Sequence, residues 1–318
     1  MSTLSASARW TFRLHRWALI VWAALVVVGI GLLLWLAGPL TDEAARAWRL
    51  YDTCRTASCD ADDSAFMRYL HVSNLLSQIL LGLPFLVAGW AGASLTGRDM
   101  ESGTASLAWT QAATPARWLA SRLAAAGAPV AVGAACLVAL HRYAWSVADG
   151  RVGVADRWWQ LQAFYGNGPV IVTLCLAALA TGVLTGLVVR RVLPALGISL
   201  VLTALLFTAA HWLMPHLWTP VTEISRFQDG YRGLYTGVEL SHGLVTRTGA
   251  HLPTPECHAH TMDVCRRIYE QHGGTGFYVT FHPASHYWPL QLTTTALLLL
   301  VTALLTAASF VVLRRRTG

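Results

Sequence analysis

Lysine is absent from this chain: all 23 of its basic residues are arginine. The phosphate-binding loop of nucleotide hydrolases needs a lysine in the pattern GxxxxGK[ST] to reach the phosphates. The chain therefore cannot hold ATP in a site of that type. If ATP drives this protein, another subunit must bind the nucleotide.

Charge is also scarce, since only 12% of the 318 residues are charged while 55% are hydrophobic. Soluble domains carry about 25% charged residues, so the composition indicates a membrane protein. A helix needs roughly 20 apolar residues to cross a hydrocarbon core about 30 Å thick. Six segments are long enough and predict an all-α integral membrane protein with six transmembrane helices: 17–38, 71–95, 119–140, 168–189, 194–214 and 288–313. The first is too long for a signal peptide, and no small-residue cleavage site follows it.

The few charges are distributed unevenly around these predicted spans. The two tails and the connectors after the second and fourth spans hold eleven arginines against two acidic residues, Asp99 and Glu101. The other loops hold twelve arginines against fourteen acidic residues. Because basic residues accumulate on the cytoplasmic side, we expect a multi-pass protein of the cell membrane with both termini in the cytoplasm. We attribute the net charge of +7 to this topology and predict no nucleic-acid partner.

This topology divides the chain into four predicted regions. Residues 1–16 form a cytoplasmic interfacial segment, and residues 17–214 contain the first five spans. Residues 215–287 form a large extracytoplasmic loop region, the only loop long enough to fold as a small ectodomain. Residues 288–318 contain the sixth span and an arginine-rich cytoplasmic tail.

Four of the six cysteines fall in the predicted outside loops, where oxidising surroundings favour disulfides. Of the three possible connectivities we expect the two local bonds, Cys54 with Cys59 and Cys257 with Cys265. Residues eight apart on one helix lie about 12 Å apart, too far for a disulfide, so Cys257 must precede any helix that contains Cys265. The sequence predicts that helix from an N-cap at Thr261 to a terminating glycine at Gly273.

The predicted ectodomain also holds eight of the twelve histidines. Two of them, His258 and His260, lie between Cys257 and Cys265, and thiolate with imidazole is the ligand set that zinc prefers. A disulfide beside solvated histidines is favoured, because oxidised cysteines cannot bind metal and the spacing matches no common zinc module. We therefore predict no metal ligands, and a metal-binding ectodomain is kept as the alternative.

Polar side chains inside the predicted spans are informative because they are costly in lipid. Asn74 and Gln78 lie four residues apart in the second span and so share one face of its helix. They are candidates for a substrate path, and the alternative is hydrogen bonding between helices or at a subunit interface. We expect Arg122 to extend to the cytoplasmic surface. No nucleophile and base have a spacing that indicates catalysis, so no catalytic residue is predicted.

The connector between the second and third spans, residues 97–119, reads GRDMESGTASLAWTQAATPARWL. It predicts a short amphipathic helix at the membrane surface, with Asp99 and Glu101 in its first turn, where the helix dipole favours acids. One stripe of that helix consists of Met100, Thr104, Leu107 and Gln111. Thr114 then caps a new helix with Pro115 at its first position. On these grounds alone, an ordinary interfacial helix explains the connector.

Several of these residues also form a pattern: Arg98-Asp-Met-Glu101-Ser-Gly103-Thr104, Leu107, Thr110, Thr114-Pro115, Arg117-Trp118-Leu119 and Arg122-Leu123. The pattern resembles the connector of ABC export permeases of the type-2 class, in which an acidic residue, a Gly-Thr pair and a T-P-x-R segment lie between the second and third of six spans. The variant LAWTQ at 107–111 and the segment HPASHYWPLQ at 282–291 resemble an actinobacterial group of these permeases.

In that family the connector is a coupling helix that docks on a cytoplasmic ABC ATPase. The resemblance therefore implies a coupling helix at about 97–115 and a coupling role for the residues Asp99, Glu101, Gly103, Thr104 and Leu107. It further implies that MgATP binds to the partner ATPase and that this chain has no cofactor of its own. The permease would pair with a second copy of itself or with a related permease, in contact with membrane lipid.

The sequence thus predicts the membrane-spanning permease subunit of an ABC exporter, a transporter subunit and not an enzyme. Its substrate cannot be read from the sequence. Two alternatives stay open. One is a metal-binding membrane sensor or enzyme that uses the His-rich ectodomain, and the other is a permease-like subunit that transmits force to an outside partner without transport.

Overall fold

The structure is a computed structural model that describes residues 16–53, 64–105, 114–258 and 262–317. Within these ranges, six helices are long and apolar enough to cross a membrane, as predicted. We refer to them as spans one to six: Arg16–Thr53, Ser64–Glu101, Pro115–Ala148, Pro169–Val189, Val192–His216 and Ala284–Arg316. The chain is a multi-pass membrane protein whose spans are helical.

Spans one and two each contain a π-helical segment between two α-helices. In span one the π-helical segment Leu36–Leu40 lies between the α-helices Arg16–Trp35 and Thr41–Thr53. In span two the π-helical segment Ala91–Gly97 lies between the α-helices Ser64–Trp90 and Arg98–Glu101. Pro39 lies in the first π-helical segment, where the α-helical hydrogen bonds are already interrupted. The second carries the helix of span two to Glu101, beyond the end predicted at residue 95.

The start of span three agrees with the signals in the sequence. Thr114 caps the helix Pro115–Ala148, since its hydroxyl accepts a hydrogen bond from the Arg117 amide, as predicted. Four further helical elements follow along the chain: Leu161–Gly166, Pro169–Val189, Val192–Leu213 with the 3₁₀ turn Met214–His216, and Tyr287–Thr317 after the 3₁₀ turn Ala284–His286.

Span four is the central helix of the membrane unit. In its most apolar stretch 83% of the residues are buried within the protein, while the corresponding share in the other spans is 50% or less. The helix carries several small residues, including Gly182 and Gly186, which allow neighbouring backbones to approach closely. A β-carbon on Gly182 would lie 2.8 Å from the Gly92 amide nitrogen. Spans two and four are therefore in direct backbone contact at the π-helical segment.

A second compact unit, His211–Thr293, includes the end of span five, the start of span six and a four-stranded antiparallel sheet between them in the sequence. We call it the inserted unit. Its strands are β1 (Val221–Ser225), β2 (Val238–Thr246), β3 (His251–Leu252) and β4 (Gly274–His282), in the order β1-β4-β2-β3. A register shift between Glu239 and Ser241 marks an irregularity in β2.

The helix Met262–Gln271 covers this sheet. It buries Cys265 and Tyr269 in a core with three further residues, Phe227, Leu244 and Phe277. The helix agrees with the predicted one, and Gly273 follows it with φ +81°, the left-handed conformation expected of a terminating glycine. Thr261, its predicted N-cap, lies outside the described residues. The sheet was not predicted from the sequence, and together with this core it makes the predicted loop region 215–287 part of a folded unit.

Candidate functional site

The candidate site lies where span two ends and the connector begins. Asp99 and Glu101 were predicted in the first turn of a new amphipathic helix, but they lie in the last turn of the span-two helix. The prediction was wrong because the π-helical segment allows the span to continue past Gly97. The chain then bends at Ser102 and Gly103. Leu107 lies outside the described residues, so its predicted role stays a prediction.

Asp99 and Arg122 form a buried ion pair between spans two and three. Arg122 Nη2 lies 2.6 Å from Asp99 Oδ2, and each residue is only 8% exposed. Arg122 Nη1 also donates to the carbonyl oxygen of Leu95 at 3.0 Å, and the guanidinium lies 5.1 Å from the centre of the Trp118 ring. Arg122 therefore does not extend to the surface as predicted, because Asp99 neutralises its charge inside the protein.

Glu101 points away from the Asp99 pair and contacts span five. Its exposed carboxylate accepts a hydrogen bond of 2.9 Å from the backbone amide of Val192, the first residue of that helix. The first amides of a helix have no partner within the helix, and a carboxylate there is also favoured by the helix dipole. The end of span two is thus tied to span three by Asp99 and to span five by Glu101.

Gly103 lies in the exposed bend after these two acids, and Thr104, which is also exposed, is helical again. Gly103 has φ +71°, a left-handed conformation that glycine adopts without the strain other residues incur. A β-carbon on Gly103 would meet nothing within 4 Å, so conformation and not close packing accounts for this glycine. The Thr104 hydroxyl lies 2.9 Å from the Ser102 hydroxyl and 3.5 Å from Asp99 Oδ1. These contacts connect the turn to the buried ion pair.

Asn74 and Gln78 share an exposed face of span two, next to the exposed apolar residues Leu75 and Ile79. An apolar groove of about 560 Å³ lies beside them, lined by spans one, two, three and five, and neither amide lines it. Its walls include Leu25, Gly29, Leu76, Phe85 and Leu137. The predicted pair therefore stands on the outer surface of the single chain, and the groove next to it is hydrophobic.

A polar network that was not predicted from the sequence lies on the buried side of span two. His141 Nε2 lies 3.0 Å from Ser77 Oγ, and His141 Nδ1 lies 2.6 Å from Asn167 Oδ1. All three side chains are at most 4% exposed. The order of hydroxyl, imidazole and amide resembles a hydrolytic triad, but a fully buried Ser77 cannot meet a substrate, so the network joins helices. In the sequence this network is signalled only by three single polar residues, Ser77, His141 and Asn167, within or next to apolar segments.

The inserted unit contains one of the two predicted disulfides. Cys257 and Cys265 are bonded, and Cys257 precedes the helix as the geometry required. The bond removes the two thiolates on which the zinc alternative depended. Among the described residues no group of three or more histidines, cysteines or acids is arranged to hold a metal ion. Cys54 and Cys59 lie outside the described residues, so their pairing stays a prediction.

A pair of histidines lies where β4 leads into span six. His282 is fully buried, its Nε2 is 2.8 Å from the carbonyl oxygen of Pro215, and its Nδ1 is 3.0 Å from Nδ1 of His286. Because the Pro215 carbonyl can only accept, His282 Nε2 donates to it. Burial lowers the pKa of the His282 imidazole, and the nearby His286 and His216 act in the same direction.

Comparison with known proteins agrees with the helical architecture. The family described as ABC-2 membrane transporter related matches residues 23–217, more than half of the chain. No curated protein and no solved structure matches. The match covers spans one to five together with the connector and its two acidic contacts. The resemblance to type-2 ABC permeases is thus confirmed, and the chain belongs to the ABC-2 membrane transporter related family.

Proposed function

We propose that this chain is the membrane-spanning permease subunit of an ABC exporter and that a separate subunit binds and hydrolyses MgATP. Membership of an ABC-2 transporter family supports the permease role. The absence of lysine supports the separate ATPase, because this chain cannot form the usual phosphate-binding loop. The resemblance of the connector to a coupling helix supplies the surface on which that ATPase would dock.

The observation that carries the proposal is the attachment of the connector to two other spans. Residues 101–104 are exposed, while Asp99 just before them is buried against Arg122. Glu101 contacts the start of span five. A force applied to the exposed turn would therefore reach spans two, three and five together. A coupling element needs this property, and an interfacial helix that only rests on the membrane does not.

A second permease copy, or a related permease, fits the exposed amides of span two. Asn74 and Gln78 would face lipid in a single chain, which is costly for primary amides. We assign them to a path between two permease subunits, where amides can contact each other, water or a substrate. The distribution of arginine supports a connector and two termini in the cytoplasm, so the ATPase would act from that side.

Two glycines with the same backbone conformation provide a direct test. Gly103 has φ +71° and Gly150 has φ +72°, both are exposed, and a β-carbon would meet nothing within 4 Å at either position. Gly103→Leu and Gly150→Leu should therefore add similar backbone strain, of about 1–2 kcal/mol. Only Gly103 lies in the proposed docking surface, whereas Gly150 follows span three, on the side predicted to be outside.

In the experiment, the tagged chain is purified from its native membranes and the retained ATPase is identified. Both are then reconstituted in liposomes. We expect Gly103→Leu to lower retention and vanadate-sensitive hydrolysis at least about ten-fold, a change that corresponds to about 1.4 kcal/mol. Gly150→Leu should behave like the wild type. If no ATPase is retained by the wild type, or if the ATPase hydrolyses ATP equally fast with both variants, the proposal fails.

A further inference from the structure

The π-helical segment of span two, Ala91–Gly97, sets the direction in which the connector points. A π-helix closes each hydrogen-bonded turn with one more residue than an α-helix, so it resembles an α-helix with an inserted residue. Each residue of an α-helix turns the chain by about 100°. Conversion of this segment to an α-helix would therefore rotate Asp99 and Glu101 by an angle of that order.

Close packing against spans four and five supports the π-helical form. A β-carbon on Gly92 would lie 2.6 Å from the Ser199 hydroxyl oxygen and 3.0 Å from the Ala195 carbonyl oxygen. The Thr96 hydroxyl donates to the carbonyl oxygen of Val183 at 3.1 Å. The segment thus fills a space shaped by its neighbours, and a change in its winding would alter these contacts.

Arg122 holds the same segment from the side of span three. Its guanidinium donates through Nη1 to the carbonyl oxygen of Leu95, inside the π-helical segment, and its Nη2 forms an ion pair with Asp99, just beyond it. The rigid, planar guanidinium therefore fixes the positions of Leu95 and Asp99 relative to each other across the end of the segment. Lysine would carry the same charge on one nitrogen, so it could not match the geometry of both contacts.

Glu101 links this winding to span five. Its carboxylate can accept the hydrogen bond from the Val192 amide only when the last turn of span two has its present orientation. A rotation of about 100° would carry Glu101 away from Val192 and Asp99 away from Arg122. The two contacts therefore exist together or are lost together, and such an element has two distinct arrangements.

We propose that Arg122 is a positioning residue for coupling: by bridging Leu95 and Asp99 it holds span two in the π-helical arrangement in which Glu101 engages span five. This proposal rests on the proposed function for its consequence, since the ATPase would supply the force that releases the bridge. Arg122 itself lies inside the protein and does not touch the ATPase.

The first test needs no ATPase. Hydrogen exchange of the purified chain in lipid nanodiscs is measured for peptides that cover 91–101 and Val192. Arg122→Gln should speed exchange in both regions about ten-fold, and Arg122→Lys should give an intermediate rate. Arg117→Gln, an exposed arginine near the start of the same helix, is the matched control and should change neither. Unchanged exchange in Arg122→Gln would overturn the proposal.

A second variant separates positioning from loss of folding. Removing Arg122 alone leaves Asp99 as an unpaired buried charge, whereas the double change Asp99→Asn with Arg122→Gln removes both charges. We expect the double variant to stay monodisperse and still to exchange faster at 91–101, because glutamine cannot bridge both contacts. Wild-type exchange in this variant would show that the bridge does not hold the segment.

The third measurement connects the bridge to function. With the co-purifying ATPase, Arg122→Lys should retain the partner as the wild type does but lose at least about ten-fold of its stimulated hydrolysis, because docking is intact and transmission is not. Equal stimulation would overturn the coupling role. If the wild type retains no ATPase, the proposed function fails, while the exchange result still decides whether Arg122 holds the segment.

Discussion

Gly186 of span four faces Thr96 of span two so closely that a β-carbon on Gly186 would overlap the Thr96 hydroxyl. It would also lie 2.9 Å from the Gly97 amide nitrogen, which cannot move without the helix. This contact brings the two backbones together at the end of the π-helical segment. It also supplies the first prediction, because the chain offers a second helical glycine with open space around it.

We predict that Gly186→Ala lowers the free energy of unfolding by about 1–3 kcal/mol, the usual cost of overpacking. Gly197 of span five is exposed and has no neighbour within 4 Å of a β-carbon, so Gly197→Ala should be neutral or stabilising by up to about 1 kcal/mol, because alanine favours helix more than glycine does. Thermal unfolding in detergent measures both. Equal midpoints would show that spans two and four do not pack as described.

The Glu101 contact predicts a stability effect that does not depend on any partner. Glu101→Ala removes the acceptor of the Val192 amide and should lower the free energy of unfolding by about 0.5–1 kcal/mol, while Glu101→Gln keeps an acceptor oxygen and should lose less. Glu256, whose side chain is 92% exposed, provides the control Glu256→Ala, which should change nothing. If Ala and Gln behave alike, the carboxylate does not cap span five.

The disulfide of the inserted unit should stabilise that unit measurably. Cys257 and Cys265 close a loop of eight residues, for which loss of unfolded-chain entropy gives about 2.5 kcal/mol. Reduction, or the double change to alanine, should therefore expose the helix Met262–Gln271 to proteolysis. Cys136→Ala in span three is the control, because this cysteine is free. Recovery of a linked peptide only after oxidation in air would contradict a native bond.

The buried His282 predicts that acid destabilises the inserted unit. Its pKa is lowered in the folded state, so below the ordinary value of about 6.5 the unfolded chain takes up a proton that the folded unit resists. The stability present at neutral pH is therefore lost as pH falls below that value, by about 1.4 kcal/mol per unit of pKa difference. Unfolding at pH 7.5 and pH 5.0 should show the loss.

Two variants isolate this residue. His282→Gln should be less stable at pH 7.5, because it loses the contact with His286 or with Pro215, but its stability should depend less on pH. The exposed His258, changed to glutamine, should leave the pH dependence as it is. A wild-type pH profile in His282→Gln would show that His282 is not the source of the effect.

Hydropathy predicted the spans because a bilayer demands a minimum length of apolar helix, and that demand is local in the sequence. The helix Met262–Gln271 and its disulfide were also predictable, since cap, glycine and cysteines lie within 17 residues. The sheet was not predicted. Its central strands pair Val245 with Gly276, and this pairing depends on residues distant in the sequence.

The candidate site was predicted only in part, because its contacts also join residues that are distant in the sequence. The acids of the connector were found, but Asp99 could not be assigned to the interior, because its partner Arg122 stands on the next span. The π-helical segment that turns Asp99 inward has no sequence signature of its own among the small residues from Ala91 to Gly97. Ser77, His141 and Asn167 are likewise joined by packing between helices that no local pattern encodes.

The register of the sheet has a consequence for how the chain accommodates its insertion. Val221, at the start of β1, lies opposite Phe281, near the end of β4, so the polypeptide enters and leaves the sheet at neighbouring ladder positions. Opposed residues of antiparallel strands lie about 4.5–5.5 Å apart at their Cα atoms. The 48 residues between these strands can therefore lengthen, shorten or be exchanged without altering the separation of Val221 and Phe281. The segment between β1 and β4 can therefore change in sequence and length independently of the membrane helices.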